Sequence, residues 1–207
     1  MNIEIHQKDD RTSWEELTKL FHEAFQERLD QGLHFTCSYF TPEDLERRSA
    51  NNVVLVATDQ DTGALAGTAF VEIVNDEKGT WGYLSNMAIS PKIKRCGIGS
   101  KLEQRRIEIA KANGCKYVIS DTAKGADSSV AWHKKNGFKL YALDSFSSTN
   151  YYSYVFRKLL VPHSSLWDSL YCRVHYLLSA LRCRMRFRAD GKTTKLMNCY
   201  LKIRGVK

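Results

Sequence analysis

The chain has 207 residues, 43% of them hydrophobic and 26% charged, with a net charge of +8. This balance excludes a disordered polymer, and no apolar run approaches the roughly 18 residues of a membrane span. The charge is uneven: His163 to Lys207 holds ten Lys and Arg against two Asp, leaving 21 of each sign before it.

Residues 1–7 have neither a basic n-region nor an apolar h-region, so no secretory signal and a cytoplasmic location are expected. Residues 3–6 alternate as a first strand. Ser13-Trp14-Glu15-Glu16 has the spacing of a capping box, and Trp14, Leu17, Leu20, Phe21, Ala24 and Phe25 then share one helical face. Thr41-Pro42-Glu43-Asp44 opens a short second helix with proline at its first position. Residues 53–57, 64–74 and 80–89 read as strands, separated by turns at 59–63 and 75–79, which makes an antiparallel meander. A helix over 100–113, a strand over 116–121, a helix over 128–136 and strands over 138–143 and 151–159 follow. The order predicts an α/β fold, a mostly antiparallel mixed sheet flanked by helices. The expected domain covers 1–161, with Pro162 and His163-Ser164-Ser165 marking the start of a basic helical extension over 162–207.

The strand over 80–89 runs into Pro91, and Lys92-Ile93-Lys94-Arg95-Cys96-Gly97-Ile98-Gly99 leads from there into a helix. That order aims unpaired N–H groups, a helix dipole and cations at one point, a geometry that binds phosphate. Leu102 stands where a dinucleotide fingerprint needs a third small residue, and no Walker sequence is present. By itself the loop also fits a plain strand-to-helix turn.

The pattern Pro91-x-x-Lys94-x-x-Gly97-x-Gly99 is followed downstream by Ser129-Val130-Ala131-Trp132-His133-Lys134-Lys135-Asn136-Gly137-Phe138. Together these resemble the GNAT superfamily of acetyl-coenzyme A-dependent N-acetyltransferases, over about residues 1–160. The resemblance implies a GNAT-like fold. It places the coenzyme A pyrophosphate on the amides of Lys94, Arg95, Cys96, Gly97, Ile98, Gly99 and Ser100. The pantetheine arm would lie beside Met87, Ala88 and Ile89, with Ser129 and His133 completing the cofactor set. Lys101, Arg105 and Arg106 are read either as further phosphate partners or as a solvated helix face. The chain departs from the family pattern at Lys94, at Arg95-Cys96, and at Ala126, where many members carry an asparagine. Binding through backbone N–H groups tolerates the first two; the third weakens the expected grip on the cofactor.

Acetyl transfer to an amine needs a neutral amine, a polarised thioester carbonyl and a proton for the departing thiolate. It needs no metal, and the six cysteines contain no C-x-x-C pair, so they read as reduced thiols rather than a zinc site. His133 occupies the family position that faces the sulfur and is the candidate acid. Glu72 is the candidate base, with a solvated strand carboxylate as its plainer reading. Ser85 is the candidate for orienting substrate or water, and an amide near Ala88 the candidate oxyanion donor. Tyr151, Tyr152 and Tyr154 either border the acceptor groove or pack in the core, and the polar loop over 145–150 lies at the same end. The expected reaction is direct attack, in a ternary complex, of a small-molecule primary amine (amine, amino acid or aminosugar) on acetyl-CoA. A neutral residue 1–162 segment offers no acidic funnel for polycations. A protein-lysine acetyltransferase and a non-catalytic acyl-CoA sensor are the alternatives.

In the extension, Ser165-Leu166-Trp167-Asp168 repeats the capping-box signature. Leu166, Trp167, Leu170, Tyr171, Val174, Leu177, Leu178, Leu181 and Met185 then form a stripe about 140° wide, and a helix ending near Arg184 is expected. Beyond it, residues 182–188 alternate basic and apolar, as a basic helix end or a strand. The stripe suits packing on the chain's own core or on a second copy in a homodimer. A peripheral anionic membrane surface reached through 165–188 ranks next, and nucleic acid last.

Overall fold

Seven strands and five α-helices occupy the described residues of the computed structural model, 2–93, 95–161, 165–188, 192 and 194–197. Lys94 and the expected boundary at 162–164 lie outside them. The strands are β1 (Ile3–Gln7), β2 (Val53–Asp59), β3 (Leu65–Asp76), β4 (Gly79–Ile89), β5 (Tyr117–Ala123), β6 (Lys139–Ser145) and β7 (Tyr152–Leu159). The helices are α1 (Trp14–Asp30), α2 (Pro42–Ser49), α3 (Ile98–Ala112), α4 (Asp127–Lys135) and α5 (Ser165–Arg186). The strands hydrogen-bond in the order β1-β2-β3-β4-β5-β7-β6. Pairs β1–β2, β2–β3, β3–β4 and β6–β7 are antiparallel and β4–β5 is parallel, so the sheet is mixed as expected.

Two compact units share the chain. The first comprises Met1–Asp30, Thr36–Ile119 and Leu159–Val161. Its meander forms because three apolar runs are joined by tight turns; Gly63, at φ 72, supplies the left-handed residue after β2. Two capping boxes form in this unit, the expected one at Ser13 and another at Thr41, whereas the side chain of Ser165, where the second was expected, lies outside the described residues. Ser13 and Glu16 exchange side chain-to-backbone hydrogen bonds of 2.8 and 3.1 Å, and Thr41 and Asp44 do the same ahead of Pro42. Phe21 of α1 lies edge-on to Phe40 and Phe70, sealing one apolar layer. The other layer gathers Leu55, Ala57 and Ala69 beneath Ile98 and Leu102 of α3. Gly67 permits that approach: a Cβ there would sit 2.9 Å from Ile89 Cδ1 and 3.2 Å from Leu102 Cδ1.

The second unit comprises Gln31–Phe35, Ser120–Lys158 and Pro162–Lys207. It holds α4, the β6–β7 hairpin and α5. Asn150 ties the polar loop over 145–150 to the segment 31–35, donating to Gly32 O at 2.8 Å and accepting from His34 N–H at 3.0 Å. β6 ends the strand order, so its outer edge has unpaired backbone groups, and α5 supplies partners. Ser179 Oγ accepts from Leu143 N–H at 3.1 Å, and His175 Nδ1 donates to Tyr141 O at 3.0 Å.

Three details differ from the sequence expectation. α3 begins at Ile98 rather than at residue 100, because Gly97 turns the chain in the left-handed region at φ 77 and the helix follows at once. β3 and β4 extend further, leaving Glu77 and Lys78 as the turn. The final helix continues to Arg186, and Phe187 forms a single bridge instead of a strand.

Candidate active site

The loop before α3 gathers backbone donors at the helix start. A 3-10 turn, Pro91–Ile93, follows β4; Arg95 and Gly97 are both left-handed, at φ 67 and φ 77. Gly97 caps α3 without a side chain, and the first helical hydrogen bond runs from Lys101 N–H to Gly97 O. The N–H groups of Ile98, Gly99 and Ser100 therefore precede the ladder and concentrate the positive end of the helix dipole. Arg95 and Cys96 are exposed beside them, and Ile98 pins the turn by burying its side chain.

β4 carries a bulge just upstream. Thr68 pairs with Ala88 and Phe70 with Ser85, so Asn86 and Met87 stand against the single residue Ala69. Asn86 takes φ 47, which accommodates the extra residue. The carbonyls of Phe70 and Ser85 are met by Arg106 of α3, whose Nη1 donates to both, at 3.2 and 3.1 Å. Arg106 is 2% exposed and its charge is matched by an ion pair with Glu103, 3% exposed. Arg106 is thus a buried staple on the bulge rather than a phosphate partner or a solvated cation. Of the other two cations read with it, Arg105 is exposed and paired with Glu108 at 3.0 Å, and Lys101 is exposed one turn from the loop.

Past the bulge, β4 has one strand neighbour among the described residues. β3 pairs along its length, whereas the register with β5 covers Gly82 and Tyr83 only. The backbone around Met87, Ala88 and Ile89 is therefore a strand edge leading straight to the anion loop, a shape that suits an extended amide-bearing arm ending in phosphate. The bulge also sets the faces. Glu72 pairs with Tyr83, and Ser85 opposite Phe70 is two residues further along β4. Alternation places Glu72, Tyr83 and Ser85 on one face, all three half-buried. The structure brings these two candidates together.

In the second unit, His133 of α4 is buried among rings. It stacks on Phe156 at 4.6 Å and 12° and meets Trp132 and Phe138 edge-on. Nδ1 lies 2.8 Å from Ser129 O, a carbonyl that can only accept, so Nδ1 carries the proton of that bond. Nε2 lies 3.1 Å from Ser120 Oγ. Ser129 is thus placed beside His133 through its carbonyl. Ser120 was not legible beforehand: it is an alternating residue of a short strand, thirteen positions from its partner in sequence.

The tyrosines have other duties. Tyr152 and Tyr154 pack with Leu143 against Tyr176, Ala180 and Cys183 of α5. Tyr152 donates to Phe187 O at 3.0 Å, and burial pushes the Tyr154 hydroxyl pKa up. Tyr151 lies against Phe35, with ring centroids 5.0 Å apart. For Tyr152 and Tyr154 the structure shows the packing alternative, under α5.

Comparison with known proteins adds the family. The sequence matches the model of the acetyltransferase (GNAT) family over residues 14–138. A search of curated proteins gave no match. Among solved structures, PaiA N-acetyltransferase from Thermoplasma acidophilum in complex with coenzyme A is similar at 20% identity, TM-score 0.61, over 77% of this chain and 99% of that one. A GNAT family acetyltransferase from Elizabethkingia anophelis with acetyl-CoA bound is similar at 16% identity, TM-score 0.59, over 77% and 99%. The NatC complex bound to Gag peptide and CoA has a chain similar at 12% identity, TM-score 0.61, over 78% and 100%. With the glycine-bearing loop, the bulged strand and a family model matched over more than half of the chain, the chain belongs to the GNAT family of acetyltransferases.

Proposed function

We propose that this acetyltransferase moves the acetyl group of acetyl-CoA to the primary amine of a small molecule. The observation that supports the donor is the uncapped start of α3, directly after the half of β4 that lacks a second strand partner. In this reading the amides of residues 94–100 hold pyrophosphate and those of Met87, Ala88 and Ile89 pair with the pantetheine arm, in a domain spanning 1–161. Neutrality of residues 1–162 supports a small acceptor over a polycationic one.

The chemistry assigned to the chain is modest. Glu72, directly or through water, takes a proton from the acceptor ammonium, and Ser85 orients the acceptor or that water. The neutral amine attacks the thioester carbon, forming a C–N bond while the C–S bond breaks. The Ala88 amide polarises the carbonyl oxygen. In this reading the nitrogen of the adduct sheds its second proton to Nε2 of His133, whose Nδ1–H stays on Ser129 O, and the departing thiolate takes a proton from the imidazolium so formed.

Two outcomes test this. His133→Phe keeps the ring stacking on Phe156 but loses both hydrogen bonds; thiol release with a panel of amines should fall about a hundredfold in kcat with coenzyme A affinity retained. Unchanged kcat across pH would remove His133 from the mechanism. Gly97→Ala meets no atom within 4 Å but must hold φ near 77. Its left-handed cost is about 1–2 kcal/mol, so rotation of the loop amides should weaken coenzyme A binding by about tenfold in a calorimetric titration. Peptides with a free N-terminus belong in the amine panel; turnover confined to them would move the acceptor class to protein.

A further inference from the structure

Helix α5 faces the opposite way from an ordinary amphipathic helix. Its inward side is Asp168, Cys172, Ser179, Ala180 and Cys183, with His175 and Ser179 bonded to the β6 edge. Its apolar stripe is turned outward: Leu166, Trp167, Leu177 and Leu181 are between 62% and 81% exposed. Inward and outward sets lie on opposite sides of the helix at 100° per residue. A stripe about six turns long that no described residue covers is far more than the scattered apolar residues of an ordinary surface.

The charges around the stripe identify what covers it. Arg173 and Arg184 project at one border and Arg182 at the other, all exposed, with Arg186 beyond. The only acidic residue of α5, Asp168, is buried in ion pairs with Arg157 and Lys139. The outward face is therefore apolar at its centre, cationic at its margins and without a carboxylate. Trp167, outward and 68% exposed, has the amphipathic ring that settles at a lipid headgroup boundary. A second copy laid on the same stripe would bring the same arginines and no opposing acid from this helix, whereas an anionic bilayer supplies apolar depth and negative charge together.

We propose that α5 is an interfacial helix that docks the protein on an anionic lipid surface, its axis in the membrane plane. Among the described residues no helix is long and apolar enough to cross a membrane, so contact is lateral. The full chain should co-sediment with vesicles of phosphatidylcholine mixed with phosphatidylglycerol and remain in the supernatant with phosphatidylcholine alone. Leu177→Glu with Leu181→Glu should cut partitioning at least tenfold, and Arg182→Glu with Arg184→Glu should do so on the anionic vesicles. All four positions are exposed, so the melting temperature and thiol release in solution should stay at wild-type values. Failure to pellet with anionic vesicles, equal pelleting with both kinds, or pelleting untouched by the leucine pair would each overturn the proposal. So would a lipid-independent dimer in sedimentation velocity that the leucine pair converts to monomer, because the stripe would then belong to a second copy.

Discussion

Arg106→Leu is expected to lose about 3–5 kcal/mol of stability, a large share of what holds a domain of this size together. The substitution removes the guanidinium from a site where Arg106 is 2% exposed and leaves the Glu103 carboxylate buried without its counter-charge. It also strips a donor from two carbonyls, Phe70 O and Ser85 O, at the one place in β3–β4 where the ladder breaks register. The double change Arg106→Leu with Glu103→Leu should recover most of the stability, since an apolar pair of similar volume replaces a buried ion pair at little cost. It should not recover catalysis, because the bulge carbonyls remain without a donor and the strand carrying Ser85 and Ala88 loses its fixed path. Urea unfolding beside steady-state kinetics on both variants checks this. A fully active double variant would show that the bulge holds its shape unaided.

Asp168→Asn has the second largest expected effect, about 2–3 kcal/mol. Asp168 is buried and forms ion pairs with Arg157 and with Lys139, the latter at 2.8 Å. The amide keeps the shape but cancels the charge, so two cations face one neutral group. The loss lies below that of a fully enclosed pair because Lys139 reaches solvent and is partly screened. The damage should be local: α5 should release before the rest of the chain unfolds, seen as earlier proteolysis within 165–188 and faster amide exchange at Leu143. Arg157→Met combined with Asp168→Leu should restore resistance.

What the sequence made legible was local. The capping box at Ser13 needs only residues three apart and is formed, and the proline-led start of α2 is formed too, with a box between Thr41 and Asp44 that the sequence expectation did not include. The loop around Gly97 was legible because a left-handed glycine before an apolar helical residue signals a strand-to-helix turn. Arg106 looked like a surface cation, since nothing local announces a bulge in strands twenty and more residues away. A signal was present nonetheless: Arg106 is four residues from Leu102 and from Ala110, on the face that sinks into the core, with Glu103 one turn earlier. The position of His133 came from a motif, but its bond to Ser120 depends on how β5 meets α4. For α5 the periodicity located the stripe and left its direction open. An apolar face ordinarily goes inward, but the β6 edge offered bare N–H and C=O groups, and these were met by the polar face.

That arrangement at β6 has a further consequence. A sheet normally recruits an extended peptide, or another molecule's strand, by lending it an open row of backbone donors and acceptors. Here Ser179 and His175 already take two groups of that row, Leu143 N–H and Tyr141 O. An incoming strand would have to break both bonds and displace α5 to pair there, which discourages sheet-to-sheet aggregation and disfavours a chain-like acceptor joining the sheet on that side.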